Sequence, residues 1–206
     1  MFISFEGCEG SGKTTLSRSL FKKINLKNDV ILTKEPDANI PFNIEIKKIL
    51  LSFDDKISSL TEALLYAANR AEHLDKIISP ALKNNKIVIC DRYLDSSIAY
   101  QGYARKLGSN LVNKINFFAF QHLPDITFYL DLEPDVGIQR LKKNRKEKME
   151  YFDLKNIHFH NLVRKGFLEL CEQFPERIYK LDANLSLEEL EYIIITKIKK
   201  SFKIKI

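Results

Sequence analysis

Residues 7–14, Gly7-Cys8-Glu9-Gly10-Ser11-Gly12-Lys13-Thr14, fit the pattern G-x-x-x-x-G-K-[ST]. That spacing suits one chemistry, the holding of a polyphosphate. The glycines let backbone N–H groups turn inward around phosphate oxygens, and the helix expected to open at Gly12 adds the positive end of its dipole. Lys13 can reach the β- and γ-phosphates and the Thr14 hydroxyl can ligate Mg²⁺. A second candidate lies at residues 87–92, where an apolar run ends in Asp91-Arg92. Asp91 can hold a water of Mg²⁺ while Arg92 grips another phosphate. Two such grips at one sheet edge suggest a phosphoryl donor and a phosphoryl acceptor. Glu9 does not fit this picture, because a carboxylate is out of place in a loop built for anions. It is either a solvated loop residue or a contact to something other than the donor phosphates.

Other nucleotide-binding classes fit less well. A GTPase needs a base-reading Asn-Lys-x-Asp, and the Asn-Lys pairs at 85–86 and 113–114 lack the later Asp. An ATPase machine usually carries an acidic pair after the third strand, where here Arg92 follows Asp91. Intact Lys13, Thr14, Asp91 and Arg92 argue against a passive nucleotide sensor. The chain has 206 residues, a length that suits one domain, and a net charge of +6. Its basic residues crowd at 140–148 and 197–205. The second cluster alternates Lys with Ile and Phe202, which reads as a helix or edge strand with a basic face, so no nucleic-acid partner is expected. Three irregularly spaced cysteines fit neither a disulfide framework nor a zinc pattern. With no signal-peptide pattern and no run long enough to span a bilayer, the expectation is a cytoplasmic protein without a membrane partner.

The elements that must position these residues follow from hydrophobic period. Apolar runs at 2–5, 30–32, 87–90, 126–130 and 178–181 read as buried strands. Helical patterns run from Gly12, with Leu16, Leu20, Phe21 and Ile24 on one face, over 44–51, and over 59–82 as one long helix. Another runs from Ser109 as N-cap through 120, one begins at Pro134, and a last one begins at the capping box Ser186-Leu-Glu-Glu189. Pro36 and Pro41 read as breaks, and residues 94–104 and 157–173 are left unassigned. Short strands alternating with helices imply an α/β protein with a five-stranded parallel sheet, flanked by helices on both faces. The single domain spans residues 1–206, with a short lid at about 140–153.

With Asp91-Arg92-Tyr-Leu-Asp-Ser-Ser-Ile-Ala-Tyr-Gln-Gly102 in view, the chain resembles the thymidylate kinase (dTMP kinase) family of P-loop nucleoside monophosphate kinases. "FEGCEGSGKTT" at 5–15, "TKEP" at 33–36, "LLYAANRAEH" at 64–73 and "VRKGFLELC" at 163–171 fall in the family's order. The resemblance implies the three-layer P-loop kinase fold and ATP-dependent phosphorylation of dTMP to dTDP with Mg²⁺. It places ATP on Gly7, Cys8, Glu9, Gly10, Ser11, Gly12, Lys13, Thr14 and Thr15, and the metal on Thr14 and Asp91. Glu9 matches a loop carboxylate that turns to the acceptor side and contacts the deoxyribose 3′-hydroxyl. Arg70 matches the arginine that reads the thymine carbonyl edge, and Tyr66 the aromatic stacked on the base. Arg92 matches the arginine on the dTMP phosphate. Ser97 and Gln101 match acceptor-site polar residues, Tyr100 a tyrosine standing where a 2′-hydroxyl would go, and Glu35-Pro36 a pair shaping the acceptor pocket.

Three departures stand out. Lys34 replaces the usual Arg, Asp37-Ala38-Asn39 replaces the usual Gly-Gly-Thr, and Tyr151 stands where bacterial relatives commonly carry a lid Arg. A phosphate monoester has its second pKa at about 6, so the attacking oxygen is largely deprotonated at pH 7 and no general base is needed. Catalysis is then positioning and charge stabilisation by Lys13, Mg²⁺, Arg92 and a lid arginine, expected to be Arg145, with Arg140 or a lysine as the alternative. The apolar residues Ile115, Phe117, Phe118 and Phe120 form a candidate homodimer face.

Overall fold

The computed structural model describes residues 1–52, 57–144, 156–202 and 204. Five strands, β1 (Phe2–Gly7), β2 (Val30–Lys34), β3 (Ile87–Asp91), β4 (Ile126–Asp131) and β5 (Ile178–Asp182), form one sheet in the order β2-β3-β1-β4-β5. Every pairing is parallel, as strands this apolar require. The register sets Phe5 opposite Asp91 and Lys34 opposite Asp91, so the strand ends that carry the candidate residues share one edge. β1 sends its chain toward β2, while its neighbour β3 sends its chain toward β4. A crevice therefore opens between them at the carboxyl edge, where such folds bind ligands.

The period of two along each strand decides which helix each side chain meets. Ile3, Phe5, Ile87 and Ile89 pack with Leu16 and Leu20 of α1 (Lys13–Ile24) and with Leu190 and Ile194 of α9 (Leu187–Phe202). Phe2, Val88, Cys90 and Tyr129 point the other way. They pack with Leu74, Tyr93, Ile98 and Phe167, contributed by the turn that follows α3 (Ser59–His73), the segment after β3, and α8 (Ile157–Gln173). α3 is capped by Ser58, whose Oγ accepts from the Thr61 N–H at 3.1 Å, and α8 by Asn156, whose Oδ1 accepts from the Phe159 N–H at 2.9 Å. The expected capping box at Ser186 forms, with the Glu189 carboxylate accepting from the Ser186 N–H at 2.8 Å.

Four expectations need correction. Pro41 does not break structure: it opens α2 (Pro41–Ser52) at a first-turn position where its missing N–H costs nothing. The helix expected over 59–82 is interrupted. α3 runs into a π-helical turn, Leu74–Ile78, and then α4 (Ser79–Lys83). The helix expected over 109–120 is α6 (Ser109–Ile115), with Gly108 rather than Ser109 at the N-cap and a 3₁₀ turn, Phe117–His122, beyond it. The unassigned stretches are both helical. Residues 94–104 form α5 (Leu94–Ser97) and a π-helical segment, Ile98–Ala104, and 157–173 is α8. These last two pack closely, since a Cβ on Gly166 would come within 3.0 Å of the Ala99 Cα. The remaining helix, α7 (Pro134–Asn144), begins at Pro134 as expected.

Candidate active site

The phosphate loop closes on itself before any ligand is considered. Lys13 turns back over it, donating to the Cys8 carbonyl at 2.7 Å and to Ser11 Oγ at 3.4 Å. Burial, then the nearby Arg92 charge, pull the Lys13 pKa down to about 8. Negative phosphates in the loop oppose both effects. Gly10 has φ 75° and lies against α7 so closely that a Cβ there would stand 2.3 Å from the Gly137 carbonyl. Gly7 and Cys8 line neither of the cavities described below and contribute backbone. Burial, then the Glu9 charge, push the Cys8 thiol up to about 12, so it is no nucleophile.

Asp91 shares strand parity with Ile87 and Ile89, which aims it at α1. The Thr14 hydroxyl donates to its Oδ2 at 2.5 Å. Two hard oxygen groups side by side at the loop fit Mg²⁺, which keeps most of its ligands as water and phosphate and takes one or two from protein.

Two cavities flank the loop. The first, of about 440 Å³, is lined by Glu9, Arg92, Tyr100, Tyr66, Arg70, Ser97 and Gln101, with Lys34, Glu35, Pro36 and Lys47 on its far wall. Sequence reasoning placed all of these except Lys47, on α2, in the acceptor pocket or beside it. The second, of about 500 Å³, is lined by residues 10–15 of the loop, by Arg140 and Leu141 of α7, and by Ala183, Leu185, Leu187 and Leu190. A phosphate cradle with an apolar end suits a nucleoside triphosphate.

Glu9 belongs to the first cavity. Its carboxylate accepts from Arg92 Nη2 at 2.7 Å and from the Tyr100 hydroxyl at 2.6 and 2.8 Å, so it is not a solvated loop residue. Burial pushes its pKa up, but Arg92, then Lys13 and the Tyr100 hydroxyl, outweigh that and hold it below the ordinary value. Arg92 itself stands at φ 72°, a left-handed conformation that costs a non-glycine residue about 1–3 kcal/mol. Its guanidinium donates to the Gly7 carbonyl and lies 5.1 Å from the centre of the Tyr100 ring.

Arg70 is fixed from several sides. Its Nε donates to Glu35 at 2.8 Å, Nη2 to Ser97 Oγ at 3.0 Å, and Nη1 to Asn116. Glu35 also accepts from His73 Nδ1 at 3.1 Å, and His73 Nε2 lies 2.7 Å from Thr33 Oγ1. The charged pair is therefore buried with its other hydrogen-bonding groups satisfied, the condition under which burying it is tolerable. Gln101 is held by Glu62, which also pairs with Arg105.

The Asp37-Ala38-Asn39 departure forms an ordered loop. The Asp37 carboxylate accepts from the N–H groups of Asn39 and Ile40 at 3.2 Å and from Asn43 at 3.2 Å. Its own backbone pairs with the Asn69 amide at 2.8 and 3.0 Å. Asn69 precedes Arg70, so this side of the pocket is tied to α3. Asn69, Asn116, His73 and Glu6 were not found from the sequence. The one signal available was a polar residue inside an apolar pattern. Arg145 and Tyr151 lie outside the described residues. Arg140 lies within them and donates to the Ala183 carbonyl at 2.9 Å beside the second cavity.

Comparison with known proteins gives the same picture along the chain. The family model described as thymidylate kinase matches residues 5–194. Among similar proteins, the thymidylate kinase of Onion yellows phytoplasma (strain OY-M) is 55% identical over 100% of both chains. That of Aster yellows witches'-broom phytoplasma (strain AYWB) is 54% identical over 99% of both. That of Acholeplasma laidlawii (strain PG-8A) is 46% identical over 97% of this chain and 99% of its own. A phosphate loop whose carboxylate turns into a neighbouring pocket, together with likeness of this extent, leads to one conclusion: the chain belongs to the thymidylate kinase family.

Proposed function

We propose that the protein transfers the γ-phosphoryl group of ATP to dTMP, giving ADP and dTDP, through the residues that line the two cavities. The observation that carries this reading is Glu9, a residue of the phosphate loop that faces the other cavity and bonds Arg92 and Tyr100 there. One loop thus serves both substrates, backbone toward the donor and side chain toward the acceptor.

In this reading the ATP phosphates rest on residues 7–15, of which 10–15 line the cavity, with Lys13 over them, and the base reaches toward Arg140 and Leu185. Thymine lies against Tyr66, with Arg70, Ser97 and Gln101 along its polar edge and Glu35-Pro36 behind. Glu9 takes the 3′-hydroxyl, Tyr100 fills the space a 2′-hydroxyl would need, and Arg92 holds the acceptor phosphate. Thr14 and Asp91 would hold Mg²⁺, which would supply positive charge to the donor phosphates. Because dTMP arrives already deprotonated, the chain needs no base, and its work is alignment and charge. Arg145 is our assignment for the arginine that neutralises the transferring group, which Arg140 supports by being engaged at Ala183.

Among the described residues no helix is long and apolar enough to cross a membrane. The free cysteines fit a reducing cytoplasm. Phe117 and Phe120 are exposed beside the buried Ala119 and support a homodimer through this turn. Phe117→Asp should dissociate it in sedimentation velocity. ³¹P NMR of ATP with dTMP tests the reaction: dTDP and ADP should appear together, and free phosphate without dTDP would make the protein an ATPase.

A further inference from the structure

Glu6 is fully buried on β1, immediately before the phosphate loop, and no step above uses it. Its strand parity with Phe2 and Ser4 turns it to the face covered by the segment after β3. There Oε1 accepts from the Tyr93 N–H at 2.7 Å, and Oε2 accepts from the Ser96 hydroxyl at 2.5 Å. Ser96 Oγ in turn accepts from Arg92 Nη1 at 3.1 Å. β1 holds the same turn on both sides of Glu6. The Phe5 carbonyl accepts from the Arg92 N–H at 2.9 Å, and the Gly7 carbonyl from Arg92 Nη1 at 3.0 Å. Three consecutive residues therefore grip the turn that carries Arg92, and Glu6 is the one that does so with its side chain.

An acid in this place is costly, since burial, then the Asp95 charge, push its pKa up to about 8. Packing alone would be better served by an apolar residue. The two groups Glu6 holds flank Arg92, whose backbone sits in a conformation it would not keep unaided. We propose that Glu6 is a positioning residue for Arg92, locking the turn at Tyr93 and Ser96 so that the guanidinium stands over the acceptor cavity. Protonation does not undo this. A neutral Glu6 donates to Ser96 Oγ instead of accepting from it, and its other oxygen keeps the Tyr93 N–H.

The inference rests on the reading of Arg92 as the ligand of the acceptor phosphate. Equilibrium binding of dTMP and of thymidine, which lacks the phosphate, separates the two ideas. Glu6→Met, which keeps the bulk and removes both hydrogen bonds, should weaken dTMP about tenfold and thymidine less than about twofold, as expected for the loss of buried hydrogen bonds. In an Arg92→Ala background it should weaken dTMP no more than about twofold. Glu6→Asp, which keeps the buried acid but draws it back from Tyr93, carries the same test if the Met variant does not fold. Equal losses for dTMP and thymidine would make Glu6 a general support of the fold and overturn the proposal. If Arg92→Ala itself weakens both ligands alike, the reading of Arg92 fails instead.

Discussion

The two cavities meet at the phosphate loop and are built in opposite ways. The donor cavity is walled by backbone, with a glycine-rich turn, a lysine folded over it and an apolar end. The acceptor cavity is walled by side chains that hold one another: Arg70 by Glu35, Asn116 and Ser97, Glu9 by Arg92 and Tyr100, Gln101 by Glu62. Backbone amides aimed inward respond to charge and are indifferent to what carries it. Interlocked side chains present a fixed pattern of donors, acceptors and shape, and a ligand that leaves one of them unpaired is rejected strongly. On the proposed reading, selectivity therefore resides in the acceptor half. Changes outside it should cost rate without altering choice, and changes within it should alter choice.

The largest effect is expected at Arg145. Arg145→Ala should lower kcat on the order of 10³-fold while leaving ATP and dTMP affinities nearly unchanged. Arg145→Lys should restore only part, because an ammonium lacks the planar fork. A kcat for Arg145→Ala within about fivefold of wild type, a change of about 1 kcal/mol, would move the role to Arg140 or a lysine.

Glu9→Gln comes next. It should lower kcat/KM for dTMP roughly tenfold to a hundredfold, the range of a charge-assisted hydrogen bond, and hardly change the KM for ATP. An acceptor without a 3′-hydroxyl should not register the substitution. Matching losses for both acceptors would return Glu9 to the donor side. Tyr100→Ala should act on choice more than on rate, narrowing the gap between dTMP and its ribose analogue by about tenfold. An unchanged ratio of kcat/KM values would place sugar discrimination elsewhere.

The last effect concerns stability. Burial, then the Asp95 charge, raise the Glu6 carboxyl to about 8 from an unfolded value of 4.5, against the opposing Ser96 hydrogen bond and Arg92 charge. Its contribution is complete below pH 4.5 and is lost as pH rises toward 8. Unfolding free energy should therefore fall between pH 6 and 8 by up to about 1.4 kcal/mol per unit. Glu6→Gln should flatten that slope, and parallel pH profiles for the two proteins would show that Glu6 is not its source.

The sequence carried one half of the site more completely than the other. The phosphate loop is a local structure, made by a short stretch between a strand and a helix, so spacing alone described it. The acceptor pocket draws on residues far apart in sequence, 91 positions in the Tyr100–Glu9 contact. Its primary residues were reached by family resemblance, and their supports were not. Asn116 is an ordinary polar residue until α6 brings it to Arg70, and His73 until β2 brings Thr33 beside it. Strands were legible because buried parallel strands are short apolar runs. Residues 94–104 were not, because Ser96, Ser97 and Gly102 read as loop while their π-helical turn is held by packing on α8. In α8 the stripe Phe159, Val163, Phe167 and Leu170 has the helical period, but charged residues between its members dilute the signal.

Initial rates of ADP formation with dTMP, dUMP, dCMP, AMP and GMP, at equal concentration and saturating ATP, test the central claim most directly. An acceptor half built around Tyr66, Arg70, Ser97 and Gln101 predicts that dTMP is turned over fastest, with dCMP and the purine nucleotides far behind. Faster turnover of AMP or dCMP than of dTMP would contradict the account.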